Sequence, residues 1–276
     1  MPELPEVETV RQILIDAGIV NQAIQKVEVY SPKLIKEIAL SDFINLLAGQ
    51  TIHQIDRKGK WLFFILDTHV LISHLGMYGK YFLDEKLMNN EHKKSLGLIF
   101  HLSNQKKLFY CDLLRYGNFR LQKLTEYKKI KPYRNIGLDL LNEPVNAQYV
   151  FDSFQKRKVA IKVVLLEQDI ISGIGNIYAS EILFRTKIHP LKKTNELALK
   201  EVEKILTAAR IILKEALKEK GTSKFDFINP LAQSGSYQEK LKVYGRDKRP
   251  CFECDTLIKK IINQRSSFFC PSCQKV

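Results

Sequence analysis

No stretch of this chain approaches the roughly 20 consecutive apolar residues that a bilayer-spanning helix requires, so a helical membrane protein is excluded. The N-terminus lacks the basic-then-apolar layout of a secretory signal. Before position 251 the only cysteine is Cys111, which excludes a disulfide-stapled secreted scaffold and points to a reducing, cytoplasmic setting. Internal repeats and low-complexity tracts are missing, so the chain is neither a solenoid nor a disordered tail. Acidic residues are also comparatively scarce: 30 Asp and Glu face 44 Lys and Arg, leaving a net charge of +14. Such an excess favours a polyanionic partner. A merely solvated basic surface would give the same total, but position narrows the choice. Residues 240–276 alone carry nine Lys or Arg against three Asp or Glu.

What is present suggests two domains, the natural expectation for 276 residues. Pro5 suits a first helical turn, and Val7, Val10, Leu14 and Ala17 recur at helical spacing up to Gly18. From about Ile24 to Leu121 the texture becomes short, β-rich apolar runs separated by turn formers, with one short helix at Ser41–Leu47. That pattern predicts a β-sandwich or barrel. Residues 131–146 read as an interdomain linker after an N-terminal domain of 1–130. The segment 147–240 then reads as helical. Its longest helix, about 195–219, buries a stripe of Val202, Ile205, Leu206, Ala209, Leu213, Ala216 and Leu217, and residues 222–240 form a polar, mobile loop. Residues 241–276 close the chain as a small ribbon. The fold class is therefore α+β.

Cys251-x2-Cys254, fifteen residues, then Cys270-x2-Cys273 is the spacing of a four-thiolate structural zinc site. Each pair places two thiolates on one turn, and a tetrahedron closes when two such turns meet. No position stays open, so one Zn2+ would hold structure without doing chemistry. The turn Ser172-Gly173-Ile174-Gly175-Asn176 is less specific. Two glycines before a helix that Asn176 could cap form an anion-binding end, although a tight helix–helix connection would look the same. No third glycine follows and no strand precedes it, which argues against a dinucleotide fingerprint. Nucleic-acid phosphate fits better.

Met1-Pro2-Glu3-Leu4-Pro5-Glu6-Val7-Glu8-Thr9, Arg57-Lys58-Gly59-Lys60, His74-Leu75-Gly76-Met77, Ser172–Tyr178 with Ala179-Ser180-Glu181, Val243-Tyr244-Gly245-Arg246 and the four-cysteine ribbon together resemble the bacterial formamidopyrimidine-DNA glycosylase family, collinearly over essentially the whole chain. Leu4 and Val7 suit that family better than its relative endonuclease VIII, which usually opens Pro-Glu-Gly-Pro-Glu. The resemblance implies an N-terminal β-sandwich with flanking helices, then a helix–two-turn–helix domain carrying a lesion-capping loop and a zinc ribbon. It implies a DNA-repair enzyme of the bacterial cytoplasm, associated with the nucleoid; no dimerisation signal is evident, so a monomer is expected. Such an enzyme removes oxidised purines such as 8-oxoguanine and formamidopyrimidines from double-stranded DNA, then cleaves the strand.

The chemistry is sensible residue by residue. With Met1 removed, Pro2 offers a secondary amine of pKa near ~8, partly neutral and nucleophilic at cellular pH. Attack at the deoxyribose C1′ displaces the base and leaves an iminium that is cationic at any pH, an electron sink for β- and δ-elimination. Glu3 can shuttle protons beside it, and Glu6 lies one helical step on. Lys60, which alone reads as a solvated strand-end charge, matches the family's proton donor. Arg265 matches the arginine that grips a lesion phosphate and serves δ-elimination. His74, Lys158, Asn176 and, more loosely, Tyr244 match phosphate contacts, which position a duplex without reading its sequence. His92 is carried over from a stretch where the family often has two histidines. Flipping a base out requires filling the vacated stack. The resemblance assigns that wedge to Met77 and the Asp112–Gly117 loop, with Arg115 and Tyr116 as DNA contacts. Tyr116 stands for a usual phenylalanine and can still stack. Leu114 replaces the arginine that reads the orphaned cytosine, which predicts weaker discrimination against an opposite adenine. Phe225 replaces a usually basic residue of the capping loop. The competing expectations are an oxidised-pyrimidine glycosylase of endonuclease VIII type and a catalytically silent, zinc-bearing damage-binding protein. A zinc-ribbon component of transcription or translation would leave the Pro-Glu terminus unexplained.

Overall fold

The computed structural model describes residues 1–224 and 226–275. They form two compact units, Met1–Asn135 with Glu219–Gln238, and Ile136–Lys218 with Glu239–Val276. In the first unit, helix α1 (Leu4–Asp16) starts at an extended Glu3, with Pro5 in its first turn. A capping box closes that start, the Glu6 carboxylate accepting the Glu3 amide at 2.7 Å. Ala17 caps the other end and Gly18 turns the chain with φ +74°. Leu4, Val7, Val10 and Leu14 are buried along one face.

The β-rich stretch resolves into β1 (Gln22–Val29), α2 (Leu40–Leu47), β2 (Thr51–Ile52), β3 (Gln54–Lys58), β4 (Trp61–Ile65), β5 (His69–His74), β6 (Lys80–Phe82), α3 (Asn90–Lys94), β7 (Leu96–Leu102), β8 (Lys107–Cys111) and β9 (Asn118–Lys123). These strands make two sheets, antiparallel throughout, ordered β3-β4-β5-β9 and β2-β1-β7-β8-β6. One face of each contributes to a common core. Ile55, Leu62, Phe64 and Leu71 come from the first sheet, Val27, Leu98, Phe100 and Tyr110 from the second, and Val7, Val10, Leu14 and Phe43 from the helices. Each such side chain stabilises by about 1.5–3 kcal/mol when fully buried, so the sandwich is the rigid frame on which the loops are hung. β4 is buried on both faces, because Phe63 packs its outer side against Tyr133 at 5.3 Å between ring centroids.

The second unit runs β10 (Leu138–Asp139), α4 (Ala147–Gln155), α5 (Ile161–Leu166), β11 (Ile171–Ser172), α6 (Asn176–Arg185), α7 (Leu199–Lys218) and the hairpin β12 (Lys259–Asn263) with β13 (Arg265–Phe269). Asn146 caps α4 through its side chain. The predicted stripe on α7 is buried, Leu217 only partly. The molecule is thus α+β, a sandwich in one unit and helices with a four-cysteine ribbon in the other. No helix among the described residues is long and apolar enough to cross a membrane.

Several features differ from the sequence expectations. Residues 219–238 group with the sandwich, whereas the pattern places them with the helices. Phe227 joins the sandwich core, and Pro230 accepts the Leu83 amide through its carbonyl. This polar stretch is also held in place. Asn229 is fully buried, and its side chain accepts the amides of Leu231 and Gln233. Phe225 lies outside the described residues. The expected linker divides between the units, and its second half contains β10, which pairs in parallel with β11. A strand therefore does precede the glycine turn, though only two residues of it.

Candidate functional site

In the first unit, the N-terminal Pro2-Glu3 pair is buried where it enters α1, while Met1 is exposed. Glu6 locks this entry. One carboxylate oxygen accepts the Glu3 amide and the other accepts the Thr222 amide, both at 2.7 Å. Gly221 precedes Thr222 with φ +85°, and a Cβ there would lie 2.7 Å from the same Glu6 oxygen. Only glycine suits that turn. The capping-loop segment is thereby tied to the residue after the candidate nucleophile. Sequence reasoning takes Glu6 as a helper of the site, but nothing in the pattern reveals its partner 216 positions away.

A second link runs from α1 to Lys60. Glu8 accepts the fully buried Arg57 guanidinium at 2.6 Å, and Arg57 also donates to the Gly59 carbonyl at 3.1 Å. Gly59 sits in the tight β3–β4 turn with φ +57°, directly before buried Lys60. Trp61 pairs across the sheet with His74 and its ring lies 4.5 Å from the imidazole. His74 Nδ1 accepts the Gly76 amide at 3.1 Å, so a neutral ring carries its proton on Nε2 as a donor. Burial, and then the nearby Lys60 charge, push the His74 pKa down to about 4. Lys60 and His74 are therefore brought together.

This depressed pKa has a thermodynamic consequence. Between the ordinary 6.5 and about 4, the unfolded chain binds a proton that folded His74 refuses. Stability should be fully present above that window and fall as pH drops through it, by up to about 3 kcal/mol. Urea unfolding at both ends of the window should show a slope that His74→Gln flattens. An unchanged slope in the variant would remove His74 as its source.

The wedge residues gather at the sandwich edge. Met77, Leu113, Leu114 and Tyr116 are exposed, Tyr116 most of all at 61%. Gly76, with φ +61°, sits so close to the second loop that a Cβ would lie 2.5 Å from the Gly117 nitrogen. The two loops therefore meet backbone to backbone. Arg115 is placed differently from its neighbours, because its guanidinium turns back to the carbonyls of Ser95 and Leu96. His92 also folds inward. Its Nδ1 accepts the Asn89 amide, its ring packs 4.7 Å from Phe82, and Nε2 lies 3.4 Å from Lys80 Nζ.

In the second unit, Gln168 holds the glycine turn, accepting the Gly173 amide and donating to the carbonyls of Leu166 and Ile174. Gly175, not Asn176, is the N-cap of α6. Asn176 is the first helical residue; its Nδ2 lies 3.5 Å from the Tyr244 hydroxyl, and its buried Oδ1 has no partner among the described residues. Buried Glu181, a motif residue given no role by its sequence position, anchors the Val243-Tyr244 turn by accepting the amides of Lys242, Val243 and Tyr244. Tyr244 in turn packs on Phe268 of the ribbon hairpin. Buried Lys162 donates to the Ser266 carbonyl at 2.7 Å, beside exposed Arg265. Lys158 is exposed after α4, next to Arg157, which is ion-paired with Glu167 and Asp169.

The four sulfurs of Cys251, Cys254, Cys270 and Cys273 lie within 4.8 Å of one another. Cys251–Cys273 is 4.0 Å, Cys254–Cys270 3.4 Å and Cys254–Cys273 3.5 Å. Four thiolates around zinc at about 2.3 Å would stand roughly 3.8 Å apart. The donor set and spacing fit a tetrahedral metal.

Comparison with known proteins also divides the chain near residue 136, although the second match runs past Lys218 into residues grouped with the sandwich. Residues 1–119 match the formamidopyrimidine-DNA glycosylase N-terminal domain, and residues 136–226 match the formamidopyrimidine-DNA glycosylase H2TH domain. The chain is 37% identical to the formamidopyrimidine-DNA glycosylase of Oceanobacillus iheyensis, covering 99% of this chain and 98% of that one. It is 36% identical to the Listeria innocua enzyme over the full length of both. Among solved structures, a Lactococcus lactis Fpg mutant bound to Fapy-dG-containing DNA superimposes with TM-score 0.91 at 34% identity, covering all of both chains. The wild-type L. lactis protein bound to DNA with an oxidised pyrimidine gives 0.89 at the same identity, again over the whole of both chains. This chain belongs to the formamidopyrimidine-DNA glycosylase family.

Proposed function

We propose that the protein is a bifunctional DNA glycosylase and apurinic-site lyase of base excision repair, acting on formamidopyrimidines and oxidised purines in duplex DNA. The observation that carries this is the Pro2-Glu3 terminus, fixed by Glu6 at the head of α1 in a chain that matches the family from end to end. Exposed Met1 is open to removal by an aminopeptidase, which frees the Pro2 amine. That amine bonds to C1′ as the C1′–base bond breaks and the base leaves with a proton; the C1′–O4′ bond then opens, O4′ taking a proton, to leave a C1′ iminium. Loss of a C2′ proton then expels the 3′ phosphate, and a further elimination expels the 5′ phosphate. Water releases the enzyme from the sugar remnant. Glu3 shuttles protons, and Lys60 donates one near the lesion. Neutral His74 donates Nε2–H to a backbone phosphate. Lys158, Asn176 and Tyr244 are assigned to other phosphates, and Arg265 to the lesion phosphate and δ-elimination. One Zn2+ held by the four cysteines keeps the β12–β13 ribbon folded. Acting on chromosomal DNA, it would work in the bacterial cytoplasm, and we read it as a monomer.

Leu114 has no hydrogen-bonding group to read an orphaned base, so the opposite base should matter little. Borohydride trapping on duplexes with 8-oxoguanine opposite cytosine or adenine tests both points. A covalent adduct is expected on each, with base-release rates within about tenfold, the scale of one lost base-edge contact. No adduct from Pro2-terminated protein would sink the catalytic reading, and a strong cytosine preference would sink the role of Leu114. A lesion range extending to oxidised pyrimidines is the second reading, favoured by the complex of the L. lactis relative.

A further inference from the structure

The Asp112–Gly117 loop is built unlike an ordinary surface turn. Asp112 is fully buried, and one carboxylate oxygen accepts the amides of Leu114 and Arg115 at 3.2 and 3.1 Å. The other accepts the Gly117 amide at 2.6 Å. The carboxylate thus bonds three of the five residues that follow it. Arg115 adopts φ +56°, a left-handed conformation that a side chain of this kind seldom takes without support. Its support is visible. Nη1 donates to the Ser95 carbonyl at 2.6 Å and the Leu96 carbonyl at 3.2 Å. Ser95 also accepts the Asp112 amide, so the start and the middle of the loop are fastened to the start of β7. At the exit, a Cβ on Gly117 would collide with the Tyr110 hydroxyl, which fixes the path of the chain.

We infer that Asp112 and Arg115 are positioning residues: together they hold the loop so that Leu113, Leu114 and Tyr116 project, with Met77, as one preformed apolar wedge. Arg115 spends its guanidinium inside the protein and contributes no phosphate contact. This inference rests on the glycosylase reading, and it deepens the account of how the stack is filled. A preformed wedge loses no loop entropy when it enters the duplex. With an apolar Leu114, insertion itself, and not recognition of the orphaned base, drives extrusion.

The test uses the full-length, Met1-processed protein and duplex DNA carrying 8-oxoguanine beside 2-aminopurine. Asp112→Asn keeps an acceptor for Leu114 and Arg115 but turns a donor toward Gly117. It should slow the 2-aminopurine signal and single-turnover base release by about tenfold to a hundredfold, the worth of one charge-assisted hydrogen bond. Cleavage at a preformed abasic site in single-stranded DNA, which has no stack to fill, should change less than about twofold on the same grounds. Hydrogen exchange of residues 113–117 should accelerate in the DNA-free variant. Arg115→Lys, which can still donate to one carbonyl, should fall between wild type and Arg115→Ala in extrusion rate. A drop of about one in the salt slope of duplex binding in Arg115→Ala would reveal a phosphate contact and overturn the assignment. Unaltered exchange and extrusion in Asp112→Asn would overturn it as well. Wild-type protein that released no base would instead count against the enzyme reading, a separate result.

Discussion

Protein that retains Met1 should form no borohydride-trapped adduct with 8-oxoguanine DNA, whereas the Pro2-terminated form should. Acylation by Met1 delocalises the Pro2 nitrogen lone pair into an amide, which cannot attack C1′ and carries no proton to titrate. Base release should fall by about 10⁴-fold or more, the scale seen when an activated nucleophile is lost. Duplex affinity should stay within about twofold, because the groups assigned to phosphate lie elsewhere in the chain. Intact-mass measurement sorts the two forms before trapping. Equal adduct yield from both would show that another amine is the nucleophile, with buried Lys60 the next candidate.

Metal removal should have the next largest effect. The four cysteine sulfurs lie within 4.8 Å of one another, and as thiolates they repel unless a cation binds them. Structural zinc contributes on the order of 10–16 kcal/mol in comparable small sites, far more than the ribbon of residues 241–276 could recover by packing alone. Chelation, or Cys254→Ser, should release one zinc per chain and unfold the hairpin that carries Arg265. Duplex affinity should then drop by about a hundredfold or more as the basic ribbon's contacts are lost. Zinc release by a colorimetric chelator, followed by fluorescence anisotropy with and without added Zn2+, checks both halves. Full binding by metal-free protein would remove the ribbon from the DNA interface.

Residues that carried strong periodic or spacing signals were legible before any coordinates. The α7 stripe, the β-rich texture up to Leu121 and the paired cysteines each express one local rule repeated several times. Elements too short to repeat a rule escaped. β6, Lys80–Phe82, has three residues, and α3, Asn-Glu-His-Lys-Lys, has no apolar face to show a period. Polar composition also misled at 222–240, where Asn229 supplies from its own side chain the hydrogen bonds that a buried loop needs. At the site, motif resemblance pointed to Pro2, Lys60, His74 and Met77. It could not reveal the supporting partners, because Glu6–Thr222, Glu8–Arg57 and Glu181–Tyr244 join positions far apart in the chain. Arg115 shows the limit most clearly. Its place in the motif suggested a contact with DNA, and nothing in the pattern reveals that its guanidinium bonds the carbonyls of Ser95 and Leu96.

The return of residues 219–238 to the sandwich makes the first unit discontinuous, with 83 residues of the other unit inserted between its parts. A truncation ending at Asn135 would lack Phe227 from its core and the Thr222 amide that Glu6 accepts. Such a fragment should be poorly soluble even though it contains every strand of both sheets. Adding residues 219–238 in trans, or splicing them after Asn135 through a short flexible linker, should rescue it. The gene therefore cannot be divided at one point into independently folding halves, and exchange of the second unit between relatives must preserve three crossovers, after Asn135, Lys218 and Gln238, rather than one.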